Sequence, residues 1–291
     1  MHTTHPITTL INQRFSCRKY LPHPIEADQQ RRLKAEIAQI SIGPFGNQAR
    51  FELVATTEKD MRALHSLGTY GFIRKPAGFI IGATKRGEKY LEDFGYLLEI
   101  LVLRATDLGL GTCWLGGTFT QGSFSRKIAI SEEEIVPAVV SVGVIPDETS
   151  SRNSGLRRHL CAHARRPWSE LFFSGDFDHP LAAEEAGRFA TPLEMARLAP
   201  SASNKQPWRI LLKDEGWHFY LSRTPGYREG LASRLRRVVD LQRLDMGIAM
   251  CHFELTAHEL DLPGAWKLGD PGLERLNKLT EYVATWVQAE K

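Results

Sequence analysis

The run from Tyr90 to Leu108 constrains this chain most. Phe94, Leu97, Leu98, Leu101, Ala105 and Leu108 follow the 3.6-residue period of a helix, while Ile100, Val102 and Leu103 fill most of its other side. A helix apolar nearly all round has no face to give to water, so it belongs in a core or an interface. The pattern returns later. Asp93-Phe94-Gly95 through Ala105, Leu108, Leu110 and Trp114 matches Asp245-Met246-Gly247 through Ala257, Leu260, Leu262 and Trp266, and 245 minus 93 gives an offset of 152. Leu241, Leu244, Ile248, Cys251 and Leu255 form an apolar seam on the second helix, fit to pack against its sister like the central helices of a dimer. With 291 residues and 42% hydrophobic content, the chain can bury roughly three quarters of its unfolded surface. Two intimate halves are within its means.

Charge and cysteines exclude several function classes. The formal charge of +3 is small, and no basic block is interleaved with aromatics as nucleic-acid surfaces require. A modest basic excess suits a small anionic ligand. Cys17, Cys113, Cys161 and Cys251 lie far apart without metal spacing, which predicts no zinc site and no disulfide framework. The N-terminus lacks a charged leader and an apolar signal core, and the longest apolar run is too short to span a bilayer. The expectation is a reduced, cytoplasmic protein with no membrane and no nucleic-acid partner.

In the first half, Arg14, Ser16 and Arg18 alternate ahead of a helix expected from about Glu26 to Ile40. On an extended backbone, i, i+2 and i+4 point the same way and would converge two guanidinium groups and a hydroxyl on a phosphate-sized anion. A solvated basic turn is the other reading. A loop at Gly43 to Gln48 precedes strands at 51–56 and 77–83. Gly109 is a plausible left-handed helix cap, and it opens a glycine-dense loop through Gly116 and Gly117. That loop lacks the dinucleotide spacing, and its Gly-Gly pair is either a flexible turn or a place where backbone approaches a planar ligand. Ser131 is expected to cap a short acidic helix, and 136–144 to form a central strand.

Residues 145–166 read as a linker ending in Ala164-Arg165-Arg166-Pro167. Beyond it, Phe172 to Asp176 followed by His179-Pro180 echoes Arg14 to Arg18 followed by His23-Pro24, and 174 minus 16 gives an offset of 158. Pro200-Ser201-Ala202-Ser203-Asn204-Lys205-Gln206-Pro207-Trp208 lies between a helical run and a strand. Taken alone it is either a polar turn anchored by tryptophan or a loop that holds a polar ligand. The halves have decayed in complementary ways. The arginines and glycine loop survive in the first, while the Ser/Asn loop survives in the second, where its counterpart at Gly43 to Phe51 is degraded. A site shared by two copies would keep one complete set of parts.

Three motifs together resemble the nitroreductase family of flavoenzymes: the R-x-S-x-R of Arg14, Ser16 and Arg18, the G-L-G-T-C-W-L-G-G of Gly109 to Gly117, and the P-S-x-x-N-x-Q-P-W of Pro200 to Trp208. The resemblance spans nearly the whole chain and suggests a single-chain tandem version of a homodimer. It implies an α+β fold, a mixed sheet flanked by helices in two pseudo-symmetric halves, 1–165 and 166–291. It also implies FMN held by both halves. Arg14, Ser16 and Arg18 would take its phosphate and ribityl chain, joined by Arg165. Leu115, Gly116 and Gly117 would meet the ring through backbone, and Pro200, Ser201, Ser203 and Asn204 would approach from the second half. The polar side chains that usually hold the pyrimidine edge have no clear equivalent, with Tyr70, Arg74 and Lys75 only near the expected place.

Flavin chemistry accounts for the absence of a catalytic triad or carboxylate pair. The resemblance therefore implies an NAD(P)H oxidoreductase passing hydride by a ping-pong cycle to a small electron-poor acceptor, nitroaromatic or quinone. It implies a monomer acting as an intramolecular pseudo-dimer. A flavin-binding protein without turnover, serving as sensor, carrier or partner module, is the alternative.

Overall fold

The structure, a computed structural model, describes residues 3–57, 64, 66–146, 164–227, 239–273 and 276–289. Most of the expected linker and Cys161 lie outside the described residues. The chain divides into two compact units, Met1–Cys161 and Ala162–Lys291.

In the first unit, α1 (Ile7–Gln13) and α2 (Ala27–Gln39) precede β1 (Ala49–Ala55) and β2 (Gly78–Lys85). The central helix α3 (Tyr90–Asp107) follows, then β3 (Leu110–Leu115), α4 (Gln121–Lys127), β4 (Glu134–Ile135) and β5 (Val139–Val144). Glu26 and Gln29 form a reciprocal capping box that fixes the start of α2, and Leu33 and Ile37 are its buried stripe. The sheet runs β1-β2-β5-β3 in antiparallel pairs, with β4 added beside β2. Seven of the eight residues of β2 are buried, so it reads as a continuous apolar run rather than an alternating one. α3 is buried from Leu91 to Ala105 except at Ile100, and Gly109 closes it with φ of 74°.

Two local expectations differ. Ser131 caps no helix, because its N–H donates to Glu134 Oε2 (2.9 Å) in a tight turn that leads into β4. The short helix lies earlier, at α4, held by fully buried Phe124 packed edge-on against Phe79 and Phe119. Pro137 interrupts the expected strand and separates β4 from β5.

Glu134 supplies an acid-sensitive brace. Arg50 donates Nε to Oε1 (2.8 Å) and Nη2 to Oε2 (2.9 Å), and this fork, with the Ser131 N–H, holds the Glu134 carboxyl down to about 2. A depressed carboxylate stabilises the fold above its unfolded pKa of about 4.3 and loses that contribution as pH falls through the folded value. Glu134→Gln should therefore be less stable than wild type at pH 7 in urea unfolding. The gap should begin to close below about pH 4.3 and narrow steadily toward pH 2.

The second unit repeats this plan with β6 (Phe172–Ser174), α5 (Ala190–Arg197), β7 (Trp208–Lys213), β8 (Gly216–Ser222), α6 (Leu241–Glu259), β9 (Gly264–Lys267) and β10 (Thr280–Gln288). The order β7-β8-β10-β9 matches β1-β2-β5-β3 strand for strand, with a long buried helix after the second strand in each. Here the core is aromatic: Phe253 of α6 meets the rings of Phe189, Trp217, Phe219, Trp266 and Trp286.

The echo between 14–18 and 172–176 is not a structural equivalence. Ser16 bridges in parallel to Thr112 of β3, whereas Phe172–Ser174 pairs in parallel with Ile210–Leu212 of β7, the counterpart of β1. The two segments extend opposite edges of their sheets. A shared Phe-x-Ser or Phe-Ser pattern reports half-buried edge backbone, not a common position.

Candidate functional site

The arginine segment is built by alternation. Phe15 and Cys17 enter the first unit's core, and Arg14, Ser16 and Arg18 alternate with them along the segment. The segment lies against β3 through the Ser16–Thr112 bridge, with the Cys17 N–H donating to Thr112 O (2.8 Å). It continues against Arg74, whose N–H donates to Arg18 O (2.8 Å) and whose carbonyl accepts from Tyr20 N (3.1 Å). Arg74 thus sits directly beside Arg18, while Tyr70 is exposed.

Residues 110–115 are a strand, not the first part of a glycine-dense loop. Gly111 is a packing glycine: a Cβ there would come within 3.0 Å of Cys17 Cβ and 2.9 Å of Ile145 Cγ1. Leu, Thr, Cys and Trp around it suit a half-buried strand, and antiparallel pairing to β5 uses them all. Leu115 ends β3, and Gly116 and Gly117 form the bend beyond it. Gly117 has nothing within 4 Å of where a Cβ would stand, so its backbone faces open space. The first unit therefore gathers Arg14, Ser16, Arg18 and residues 115–117 around one strand.

The electrostatics of this group are unusual. The Arg14 side chain is 6% exposed, and its Nε lies 3.9 Å from Oε1 of fully buried Glu99 on α3. The other carboxylate oxygen accepts from Trp114 Nε1 at 2.7 Å. At 3.9 Å the charge is compensated but no hydrogen bond forms. Among the described residues, Arg14 Nε and Arg18 Nη1 are both buried donors without an acceptor. Burial pulls the Arg14 pKa down from its usual value, with Glu99 acting against it.

In the second unit the Pro200–Trp208 loop is held in left-handed backbone at Ser203, Asn204 and Gln206, with φ of 51°, 55° and 49°. Its own polar groups maintain this shape. Ser201 Oγ accepts from Gln206 N (2.9 Å), Asn204 Nδ2 donates to Ala164 O (2.9 Å), and Gln206 Oε1 accepts from Arg166 N (2.8 Å). Arg165 joins through Nη2 to Leu198 O (3.0 Å) and Nη1 to Asn204 Oδ1 (3.4 Å). Arg165, Ser201 and Asn204 are thus gathered in this unit. Ser203 presents an exposed hydroxyl, and Pro200 is half-buried.

Both loops hang from an aspartate in the first turns of the long helix. Asp93 accepts from Phe45 N (2.9 Å), Asn47 N (2.8 Å) and Asn47 Nδ2 (2.8 Å); Asp245 accepts from Ala202 N with both oxygens (2.9 and 3.1 Å). Burial raises both carboxyls, Asp245 far more, because a single N–H compensates it and Asp240 adds repulsion. The repeated Asp-x-Gly was visible in sequence, but nothing in its spacing assigned it to loop anchoring. The partners of Glu99, Trp114 and Gln206 went unread for the same reason: they are distant in sequence.

Among the described residues no group of three or more metal-ligating side chains occurs, and no helix is long and apolar enough to cross a membrane. No curated protein matches the chain. A crystal structure of a putative nitroreductase from Thermotoga maritima is similar over 99% of this chain and 95% of that one, at 20% identity and a TM-score of 0.60. A nitroreductase family protein from Clostridium difficile 630 matches 57% of this chain and 96% of its own, at 15% identity and a TM-score of 0.42. An FMN-dependent nitroreductase from Clostridium difficile R20291 matches 48% and 87%, at 17% identity and a TM-score of 0.38. The model of the family described as "Putative TM nitroreductase" matches residues 6–257. On that match, and on a fold shared with the Thermotoga structure along its whole length, the chain belongs to the TM nitroreductase family.

Proposed function

We propose that this chain is an FMN-dependent NAD(P)H oxidoreductase of nitroreductase type. The observation that carries the reading is the pair of buried donors, Arg14 Nε and Arg18 Nη1, that have no acceptor among the described residues. Buried guanidinium donors left unpaired are costly, and a phosphate dianion is the acceptor they suit. Gly117, with open space where a side chain would stand, fits the approach of a flat ring to the main chain.

In this reading Arg14, Ser16 and Arg18 hold the phosphate end, and Leu115, Gly116 and Gly117 offer main-chain groups to the ring. Arg165, Pro200, Ser201, Ser203 and Asn204 hold the cofactor from the second half, 166–291 with Arg165 at its border. Ser201 and Asn204 act chiefly by shaping the loop, which leaves the Ser203 hydroxyl to reach the ligand. Arg74, placed beside Arg18, is the side chain proposed for the pyrimidine edge. When bound, FMN would supply the two-electron chemistry, taking hydride from NAD(P)H and delivering it to a nitroaromatic or quinone. The protein's part is to bind and orient, and it acts as a cytoplasmic monomer.

The test is an absorbance spectrum of the purified protein, anaerobic, before and after NADH or NADPH. The expected result is about one FMN per chain, bleached by at least one donor. FMN that neither donor reduces leaves a flavin-binding protein without turnover, and two FMN per chain rules out the single site.

A further inference from the structure

We propose that Glu99 is the resident counter-ion of Arg14, and that it sets how strongly the protein prefers a phosphorylated flavin to riboflavin. The inference rests on the FMN reading above and goes further, assigning a role to a residue outside the three motifs. Three features of the geometry lead to it. Glu99 is fully buried and pinned by the Trp114 indole at 2.7 Å, so it cannot swing toward water. Its other oxygen, Oε1, lies 3.9 Å from the Arg14 Nε, near enough to neutralise charge and too far to occupy that donor. The second unit offers a comparison one helical turn away: Trp266 Nε1 donates to Glu254 Oε2 at 2.6 Å, whereas the position matching Glu99 at the offset of 152 is Cys251, and among the described residues Glu254 has no arginine beside it.

A tryptophan–glutamate bond is therefore found in both units at helix positions one turn apart, and among the described residues only the first unit sets a guanidinium beside it. Glu99 stabilises the empty protein by compensating a buried cation. A bound phosphate dianion would compete with that carboxylate for the same cation. Glu99 is thus a positioning residue that acts through Arg14, and its charge works against phosphate affinity while favouring the empty fold.

Glu99→Gln keeps the volume and an acceptor for Trp114 while removing the charge. FMN and riboflavin dissociation constants would be measured by flavin fluorescence for wild type, Glu99→Gln, Arg14→Ala and the double variant. The expected result is a riboflavin-to-FMN ratio that rises about tenfold or more in Glu99→Gln, with no such rise when Arg14 is already alanine. A residue that merely filled space would move both flavins alike. An unchanged or lower ratio in folded Glu99→Gln overturns the proposal, as does a rise that persists without Arg14. If Glu99→Gln folds only when FMN is supplied and not with riboflavin, the proposal stands; failure to fold with either overturns it. Wild-type protein that binds neither flavin instead defeats the FMN reading itself.

Discussion

Arg14→Ala is expected to weaken FMN binding about tenfold to a hundredfold while changing riboflavin binding little. A charge-assisted hydrogen bond to a phosphate is worth roughly 1.5 to 3 kcal/mol, which converts to that range. With the guanidinium gone, the buried Glu99 carboxylate loses the cation beside it. The same vacancy costs stability, since stripping one partner from a buried pair typically costs about 3 to 5 kcal/mol. Affinity must therefore be read from titration of folded protein, with Arg14→Ala/Glu99→Gln as the variant that removes both charges. Asp176 is the control: it is exposed and, among the described residues, engaged with its own turn, through His179 Nδ1 at 2.6 Å and Asp178 N at 2.9 Å. Asp176→Ala should leave FMN affinity unchanged. Equal losses at both positions, or equal loss of riboflavin and FMN at Arg14, would remove Arg14 from the phosphate.

The elements with a strong period were legible in the chain itself. The all-round apolar run at 90–108 could only be a buried helix, and its partner at 241–259 repeats it because the same topology surrounds both. Short elements were not legible. α1 and α4 have seven residues each, too few for a period to show, and they exist because Leu10 and Phe124 are fully buried by the sheet's surroundings. The glycine stretch misled because glycine has two physical uses. Gly109 supplies a left-handed φ, but Gly111 supplies the absence of a side chain beneath Cys17, and no sequence spacing tells the two apart.

The candidate site was legible as residue types and only partly as roles. Arg14, Ser16 and Arg18 alternate with the buried Phe15 and Cys17 and are less buried than they are. The Ser/Asn loop looked like a row of ligand contacts, yet Ser201 and Asn204 spend hydrogen bonds on three residues of left-handed backbone. Polar side chains in a strained turn serve the turn first, because an unsatisfied backbone costs as much as a lost ligand contact gains. The anchoring roles of Asp93, Asp245 and Glu99 were invisible because each side chain acts on residues well separated in sequence.

Gly111→Val is expected to cost about 1 to 3 kcal/mol of stability in urea unfolding and to abolish most FMN affinity together. Gly111 and Gly143 pair across β3 and β5, and the arginine segment crosses both. An added Cβ at Gly111 would stand 3.0 Å from Cys17 Cβ, and one at Gly143 would stand 2.9 Å from Tyr20 Cδ1. The two glycines form a floor on which residues 17 to 20 lie, and a branched side chain lifts that segment away from Thr112. Because Arg14, Ser16 and Arg18 ride on the same backbone, their donors would shift by the same displacement. Gly117→Ala separates the two effects. Its Cβ would meet nothing within 4 Å, so stability should stay within about 0.5 kcal/mol of wild type. Flavin affinity should nonetheless fall, for FMN and riboflavin alike, because the methyl occupies the space offered to the ring. If Gly111→Val loses stability but binds FMN as wild type does, the phosphate is held somewhere other than on the arginine segment.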